Sequence, residues 1–404
     1  MRVQYVQGKP IFTSINKNIK QYPYLSKNIE SEVCIIGGGV TGAIAAYYLA
    51  TNNIKCTLIE SKRIAHLSTS VTTSLLQYEL DDTISELKQI TSVENVIKSY
   101  KLGLKALKEI ENFANKYGNN FDYIKRDALL YTSKTNEVKV IADEYTQRKD
   151  NGLDVEFIQN SNKYGFDIKA GLISKEGGAE IDPYKFTHEL LEVAGSKNCK
   201  IYENTKCTNV VDKGEYVEVT TEYNYKIKAK KIIVATGYNT EMFTDRSFAQ
   251  KTTTYNVATR PIDEIKLWQD KILIRDNDDP YNYLRTTKEN RLIIGGEDES
   301  FIPGIYDEDL ANKKYEILEN RLKSMYKDLK NIEIEYKYCG TFASTKDNLG
   351  YVGPDKKDKN IWYLLGYGAN GILFAILGAM MLTKLYNNHE DKDMKLFKVD
   401  RFDK

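Results

Sequence analysis

The sequence contains few histidines and cysteines, two residue types that often bind metals or act in catalysis. It has only three histidines and five cysteines. His66, His188 and His389 are far apart in sequence and belong to no evident Ser–His–Asp grouping. No two cysteines have the spacing of a zinc knuckle or a redox Cys-x-x-Cys motif. We therefore predict no metal site, and we expect buried thiols in a reducing compartment.

Net charge and long apolar runs are also lacking. Lys plus Arg number 58 and Asp plus Glu number 57, so no net field draws the chain toward nucleic acid. The amino terminus has no apolar signal core. The longest apolar run, residues 372–382, is shorter than the roughly 20 helical residues that span a bilayer. We predict a cytoplasmic protein with no nucleic-acid partner and no integral membrane segment.

Near its start the sequence does contain a strand, a glycine turn and a helix in that order. In "EVCIIGGGVTGAIAAYYLA", Gly37, Gly39 and Gly42 have Gly-x-Gly-x-x-Gly spacing. Such glycines allow a tight turn, close approach of the backbone to a pyrophosphate, and close packing of helix on strand. Glu60 ends the next predicted strand, where a carboxylate accepts hydrogen bonds from a ribose diol. The pattern predicts a dinucleotide-binding site.

The same arrangement recurs near the carboxyl end, in "IWYLLGYGANGILFAILGAMM", at Gly366, Gly368 and Gly371. A nicotinamide dinucleotide needs one such turn, whereas a flavin has a second polar end that becomes negative on reduction. A helix amino terminus stabilises charge that develops there. The paired turns therefore favour FAD over a nicotinamide cofactor. Close packing of a helix on a strand is the alternative explanation of the second turn.

The predicted parallel strands are scattered over the whole chain, at 33–36, 56–60, 232–235 and 361–365, with helices and antiparallel strands between them. We predict an α/β (α+β) fold, in which a Rossmann-like FAD-binding domain is interleaved with an antiparallel-sheet substrate domain. The predicted segments are an N-terminal arm at 1–30, FAD-binding segments at 31–95, 166–245 and 334–404, and substrate segments at 96–165 and 246–333.

In this order the motifs resemble those of the FAD-dependent oxidoreductases of the D-amino-acid oxidase, glycine oxidase and sarcosine oxidase superfamily. The resemblance starts near Tyr22 and includes "GAEIDPYKFT", "IIVATG" and "GTFASTKDNLGYVG". His66 and Cys339 lie beside, not at, the positions where some relatives attach the flavin covalently, so we predict non-covalent FAD. The resemblance implies these cofactor-binding residues: Gly37, Gly38, Gly39, Thr41, Gly42, Glu60, Ser61, Arg63, Ser68, Thr69, Thr73, Cys207, Thr236, Gly237, Gly340, Gly368, Asn370, Gly371 and Ile372.

The resemblance also implies an activity. Such enzymes oxidise a C–N bond of a small amine or amino acid by hydride transfer to flavin N5, and water then hydrolyses the imine. Oxygen, a quinone or a carrier protein accepts the electrons. A 2-hydroxy-acid dehydrogenase and a flavin-bearing electron-transfer subunit of a larger complex stay open as alternatives. The substrate-side candidates lie in the predicted antiparallel sheet: Arg285, Tyr283 and Tyr255.

The sequence departs from the family pattern at three places. Phe342 stands where glycine oxidase-like members carry an arginine for the substrate carboxylate. Asn370 stands where sarcosine oxidase-like members carry a lysine for the same anion, and Ile293 where they carry a lysine that assists oxygen. Arg285 is therefore a candidate replacement anchor, with an ordinary surface arginine as the alternative. The departures favour a dehydrogenase over an efficient oxidase.

Overall fold

The structure is a computed structural model that describes residues 6–17, 20–263, 269–327 and 332–403. Part of the predicted N-terminal arm, at 1–30, therefore lies outside the described residues. In chain order, the strands are β1 Val6–Gly8, β2 Ile29–Ile36, β3 Cys56–Ile59, β4 Leu75–Gln77, β5 Ile124–Thr132, β6 Val155–Ser161, β7 Ile168–Glu180, β8 Cys199–Tyr202, β9 Cys207–Asp212, β10 Val217–Thr221, β11 Lys226–Val234, β12 Gln250–Thr259, β13 Leu273–Asp276, β14 Asn282–Thr286, β15 Leu292–Ser300, β16 Ile334–Ser344, β17 Tyr351–Pro354 and β18 Ile361–Leu365.

Helices lie between these strands. None of those described is both long and apolar enough to cross a membrane. The α-helices are α1 Ile11–Ile15, α2 Val40–Thr51, α3 Ser68–Val71, α4 Ile84–Leu87, α5 Val93–Tyr117, α6 Val138–Asp150, α7 Pro183–Gly195, α8 Glu308–Met325 and α9 Gly371–Tyr386. Short 3₁₀ turns occupy Thr135–Glu137, Gln269–Lys271 and Lys392–Leu396.

The chain divides into two compact units, each assembled from three separate segments. Unit 1 comprises Met1–Ile15, Val71–Asp182 and Lys251–Phe342. Unit 2 comprises Asn16–Ser70, Pro183–Gln250 and Ala343–Lys404. The interleaving follows because strands that neighbour each other in one sheet are far apart in sequence.

Unit 2 contains an eight-stranded sheet in the order β17-β18-β11-β2-β3-β8, with β9 and β10 attached beside β11. The pairs β18–β11, β11–β2, β2–β3 and β3–β8 are parallel. Every residue of β3 and β18 is buried. Continuous apolar runs of this kind are typical of strands covered on both faces. The predicted parallel strands and the α/β fold class are confirmed.

Unit 1 contains a ten-stranded sheet in the order β1-β16-β12-β15-β14-β13-β5-β7-β4, with β6 attached to β7. Most of its neighbouring strands are antiparallel, whereas β13 and β5 run parallel. Helix α8 packs on one face of this sheet, where Leu284, Ile294 and Leu318 share a buried apolar core. Alternate residues of the same strands lie on the other face.

The unit boundaries differ from the predicted domain boundaries. Residues 71–95, 166–182 and 334–342, predicted in FAD-binding segments, lie in unit 1. The reason is strand pairing, because β4 and β5 both pair with β7 while β16 pairs with β1. These strands therefore belong to the ten-stranded sheet. The strands with which β4 and β16 pair come from distant segments of the chain, and a local sequence pattern does not specify such pairing.

Candidate functional site

The first glycine turn joins β2 to α2. Gly37 has a φ of 118°, and a Cβ on Gly42 would overlap the Gly37 carbonyl oxygen. Both positions require glycine, because a side chain would block either the turn or the close approach of helix and strand. The N-cap residue Gly39 gives α2 no side-chain hydrogen bond. The first N–H groups of α2 thus lie at a helix start suited to a phosphate.

Glu60 connects the end of β3 to this turn. One carboxylate oxygen accepts a hydrogen bond from Gly38 N at 2.8 Å. The other accepts from Ser61 Oγ at 3.0 Å and from Lys62 N at 2.8 Å. A carboxylate has about four acceptor positions, so it can also accept a bond from a sugar hydroxyl. The arrangement fits the ribose role that the sequence predicts, and that role stays a prediction.

Glu203 is a buried acid that the sequence analysis did not identify. It follows β8, the parallel neighbour of β3, and its carboxylate accepts hydrogen bonds from Arg63 Nε at 3.2 Å and Ile64 N at 2.7 Å. Its second oxygen accepts from Tyr22 N at 3.1 Å. Glu203 therefore fixes the loop after Glu60. An acid directly after a second parallel strand was the available signal, because the carboxyl ends of parallel strands meet at one edge.

The second glycine turn, between β18 and α9, repeats the geometry of the first. A Cβ on Gly371 would press on the Gly366 carbonyl oxygen, the same relation that Gly42 has to Gly37. The N-cap residue Asn370 gives α9 no side-chain hydrogen bond. In both turns of unit 2, the residue before the helix therefore gives the helix start no side-chain hydrogen bond.

Residues after β11 lie beside the second turn. The Gly237 carbonyl accepts a hydrogen bond from Tyr367 Oη at 2.8 Å, and the Tyr238 and Tyr367 rings stack at 5.8 Å. Thr236 Oγ1 donates to Asn239 O at 2.6 Å. Because β11 and β18 are parallel neighbours, their carboxyl ends meet at one edge. The structure thus brings Thr236 and Gly237 to the second glycine turn.

The remaining predicted cofactor residues are divided between the units. Thr69 Oγ1 accepts a hydrogen bond from Val40 N at 3.0 Å, so it lies at the start of α2. The Cys207 thiol is buried, which raises its pKa to about 11. Thr73 and Gly340 belong to unit 1. The others lie in unit 2, namely Gly37, Gly38, Gly39, Thr41, Gly42, Glu60, Ser61, Arg63, Ser68, Thr69, Cys207, Thr236, Gly237, Gly368, Asn370, Gly371 and Ile372.

The two residues that lie beside covalent attachment positions are both engaged elsewhere. His66 Nδ1 lies 2.7 Å from Ile64 O. Cys339 is buried in the apolar core beneath α8. Non-covalent FAD therefore stays the prediction for this chain.

Arg285, the candidate anion anchor, is 2% exposed. Its Nη1 donates to the carbonyls of Thr73, Ser74 and Ile181, each at 2.9 Å. Its Nε donates to Thr286 O at 2.8 Å. Burial lowers the pKa of Arg285, and nearby Glu180 opposes this. The guanidinium thus ties together backbone from distant segments of unit 1 and is not an ordinary surface arginine.

The other two substrate-side candidates lie on opposite faces of the ten-stranded sheet. Tyr283, two residues before Arg285 on β14, shares its face, and its hydroxyl lies 3.1 Å from Thr254 Oγ1. Tyr255 belongs to the core beneath α8, with its ring centroid 5.9 Å from that of Tyr315. Burial raises the pKa of Tyr255 to about 12. The structure therefore groups Tyr283 with Arg285 and separates Tyr255 from them.

Unit 2 has the features of a dinucleotide site for a cofactor with two polar ends. Two helix amino termini follow strands β2 and β18, which lie on either side of β11 in one sheet, and a buried acid adjoins the first of them. The glycines at these turns leave the backbone accessible where side chains would block it. These residues fit FAD, which defines the class as a flavin-dependent oxidoreductase.

Comparison with known proteins identifies the family. The family model described as "FAD dependent oxidoreductase" (DAO) matches residues 32–385, so the chain belongs to this family and FAD is its cofactor. Glycine oxidase of Bacillus subtilis (strain 168) is 23% identical over 377 residues, covering 92% of this chain and 97% of the relative.

A further relative is named "Putative Rieske 2Fe-2S iron-sulfur protein YhfW", also from Bacillus subtilis (strain 168). It is 25% identical over 396 residues, covering 95% of this chain and 74% of the relative. Among solved structures, glycine oxidase from Geobacillus kaustophilus has a TM-score of 0.78 at 18% identity. That match covers 92% of this chain and 99% of the other, and it shows a shared fold.

Proposed function

We propose that this oxidoreductase oxidises a C–N bond of a small amine or amino acid. The observation that carries the proposal is the family match over residues 32–385, together with a relative named glycine oxidase that aligns with 92% of the chain. Bound FAD would supply the hydride acceptor for oxidation of the carbon next to nitrogen, and the resulting imine would be hydrolysed by water. This chemistry depends on orientation more than on an acid–base pair, in keeping with the few histidines.

We further propose that unit 2 binds FAD and that unit 1 supplies substrate contacts. Both glycine turns, Glu60 and the turn after β11 belong to unit 2. Tyr283 and Arg285 share one face of the sheet in unit 1. Arg285 is the proposed anchor of a substrate anion, since Phe342 stands where the family resemblance places an arginine.

The test is anaerobic mixing of the FAD-loaded protein with panels of amines, amino acids and 2-hydroxy acids. Loss of the oxidised flavin absorbance with amines or amino acids supports the proposal. Bleaching by 2-hydroxy acids alone would contradict it. An Arg285→Lys variant tests the anchor, because lost guanidinium contacts raise KM for carboxylate substrates more than for amines. Arg260→Lys, at an exposed position, is the matched control.

The second candidate is a flavin-bearing electron-transfer subunit. One relative that favours it is named as a Rieske iron-sulfur protein. This chain covers 74% of that relative, so the relative also has a part with no match in this chain. A one-electron carrier would then accept the electrons. Under this alternative, no compound of the panel bleaches the protein, whereas a reduced carrier protein exchanges electrons with it.

A further inference from the structure

The carboxyl-terminal tail, residues 386–403, lies beyond the segment that matches the family model, which ends at residue 385. It nevertheless folds against unit 2. Phe397 is fully buried, and its carbonyl accepts a hydrogen bond from Val352 N at 2.7 Å. The tail is therefore part of unit 2.

Arg401 makes the strongest of these contacts, with Asp347. Its Nε donates to Asp347 Oδ2 and its Nη2 to Oδ1, both at 2.8 Å. The two side chains are 8% and 6% exposed. Nη1 donates to Gly350 O at 3.0 Å, and Nη2 also donates to Leu349 O at 3.0 Å. One side chain thus fixes both the carboxylate and the backbone of the loop at 347–350.

This loop leads into β17, which pairs with β18, the strand that ends at the second glycine turn. The Arg401 guanidinium carbon lies 3.8 Å from the ring centroid of Tyr351, the first residue of β17. Tyr351 pairs in register with Leu365, the last residue before Gly366. A displacement of the loop at 347–350 would therefore move the end of β18, from which the turn starts.

The tail also contacts the helix that follows the turn. The Phe397 ring centroid lies 5.7 Å from that of Phe374, in the first turn of α9. A Cβ on Gly350 would press on the Leu365 carbonyl and on Phe374 Cβ. The loop at 347–350, the end of β18 and the start of α9 are therefore packed against one another. The tail contacts this packed group through Phe397 and Arg401.

We propose that Arg401 is a positioning residue, through which the tail fixes the second glycine turn and the start of α9 for FAD. The inference rests on the proposed placement of FAD at this turn. Charge-assisted, bidentate contacts of this kind fix geometry as well as adding energy. Loosening them leaves part of the ordering of the turn to FAD binding, which weakens the affinity.

A second ion pair joins the tail to the rest of unit 2 and serves as a matched control. Arg246 donates to both carboxylate oxygens of Asp403, each at 2.7 Å. This pair is also bidentate, but its side chains are 30% and 32% exposed. No hydrogen bond described for Arg246 or Asp403 reaches the loop at 347–350. An Arg246→Gln variant therefore weakens the attachment of the tail without removing the contacts of Arg401.

The experiment compares Arg401→Gln, Arg401→Lys and Arg246→Gln in the full chain. We measure the Kd for FAD after removal of the flavin, the melting temperature of the apoprotein and the reduction potential of bound FAD. We expect Arg401→Gln to raise the Kd about tenfold or more, the scale of a lost charge-assisted hydrogen bond. The potential should become more negative, because the helix amino terminus no longer aligns with the reduced flavin. Arg401→Lys should be intermediate and Arg246→Gln within about twofold of wild type.

Equal losses in Arg401→Gln and Arg246→Gln would overturn the inference, since they would indicate a general effect of tail attachment. An unchanged Kd and potential in Arg401→Gln would overturn it too. If Arg401→Gln does not fold, Asp347→Asn replaces it, because this change keeps the shape of the side chain. A wild-type protein that binds no FAD would instead contradict the placement of the cofactor.

Discussion

Two acids at the ends of neighbouring strands organise the loop at residues 61–64. Glu60 accepts hydrogen bonds from Gly38 N and Lys62 N, and Glu203 accepts from Ile64 N. The loop is therefore fixed at both sides by carboxylates that are themselves buried. Preorganisation of this kind lets a ligand bind without the cost of ordering the loop.

We expect Glu60→Gln to weaken FAD binding. The change removes the charge from hydrogen bonds that contribute about 1.5–3 kcal/mol each, so the Kd for FAD should rise by one order of magnitude or more. Titration of the flavin-free protein with FAD measures this. Glu30→Gln, at a side chain that is 80% exposed, should bind like wild type. Unchanged affinity in Glu60→Gln would show that this acid does not contact the cofactor.

The burial of His188 leads us to expect a loss of folding stability at mildly acidic pH. Its ring stacks on Tyr22 at 6.2 Å, and burial, with His66 and Arg63 nearby, lowers its pKa from 6.5 to about 4. The unfolded chain then takes up the proton first as the pH falls. Stability from this group is therefore complete above pH 6.5 and is lost progressively toward pH 4.

Chemical denaturation of the apoprotein at pH 7 and at pH 4.5 tests this. His188→Phe keeps a ring at this position and has no proton to take up, so it should lose less stability between the two pH values than wild type. His389→Phe, at an exposed position, should lose as much as wild type. Equal losses in all three proteins would mean that His188 does not sense this pH range.

At the scale of elements, the two glycine turns give their helices the same start. In both turns the third glycine lies against the carbonyl of the first. The apolar helices α2 and α9 therefore pack close to the ends of β2 and β18, and they also pack against each other. This packing places two helix starts at glycine turns within one unit.

Single alanine substitutions should separate folding from cofactor binding in the first turn. A Cβ on Gly42 would overlap a backbone carbonyl, so Gly42→Ala should destabilise the apoprotein by about 1–3 kcal/mol. A Cβ on Gly39 would meet only Thr69 Oγ1, at 3.2 Å. Gly39→Ala should leave the apoprotein close to wild-type stability yet weaken FAD binding, because the methyl group obstructs a pyrophosphate.

Denaturant midpoints and FAD titrations of both variants measure the two effects. Gly195→Ala is the control, since its Cβ would lie at an ordinary 3.6 Å from Ile201 Cδ1. Full FAD affinity in Gly39→Ala would place the pyrophosphate elsewhere. A stable Gly42→Ala apoprotein would show that the helix can move away from the turn at little cost.

At the scale of the whole molecule, the identity of the electron acceptor separates an oxidase from a dehydrogenase. Ile293 stands where the resemblance places an oxygen-assisting lysine, and it is fully buried opposite Arg285 in the sheet register. An aliphatic side chain provides no charge to stabilise the negative charge that oxygen acquires. We therefore expect turnover with oxygen to be much slower than turnover with an artificial quinone.

Parallel assays with an oxygen electrode and with a quinone dye, at one substrate concentration, give this ratio. An Ile293→Lys variant should raise the oxygen rate relative to the dye rate, whereas Ile293→Met, which keeps an uncharged side chain, should not. Wild-type turnover with oxygen that equals the rate with the dye would refute the expectation.

The sequence by itself determined the parts of the molecule that depend on local backbone geometry. Gly37 and Gly42 are needed within one continuous turn, and the buried strands β3 and β18 are short apolar runs. Patterns of this kind are readable because the interactions that require them lie within a few residues. The two glycine turns and the parallel strands follow from them, and the resemblance of the ordered motifs added the FAD family.

Only the tertiary structure decided which distant residues meet. Ile64 N and the carboxylate of Glu203 are 139 residues apart in sequence, and Arg401 and Asp347 are 54 apart. Alternation places Tyr255 on one face of its own strand, but it does not say which face α8 covers. Strand pairing and side-chain packing settle these contacts, because their energy depends on segments that local sequence does not specify.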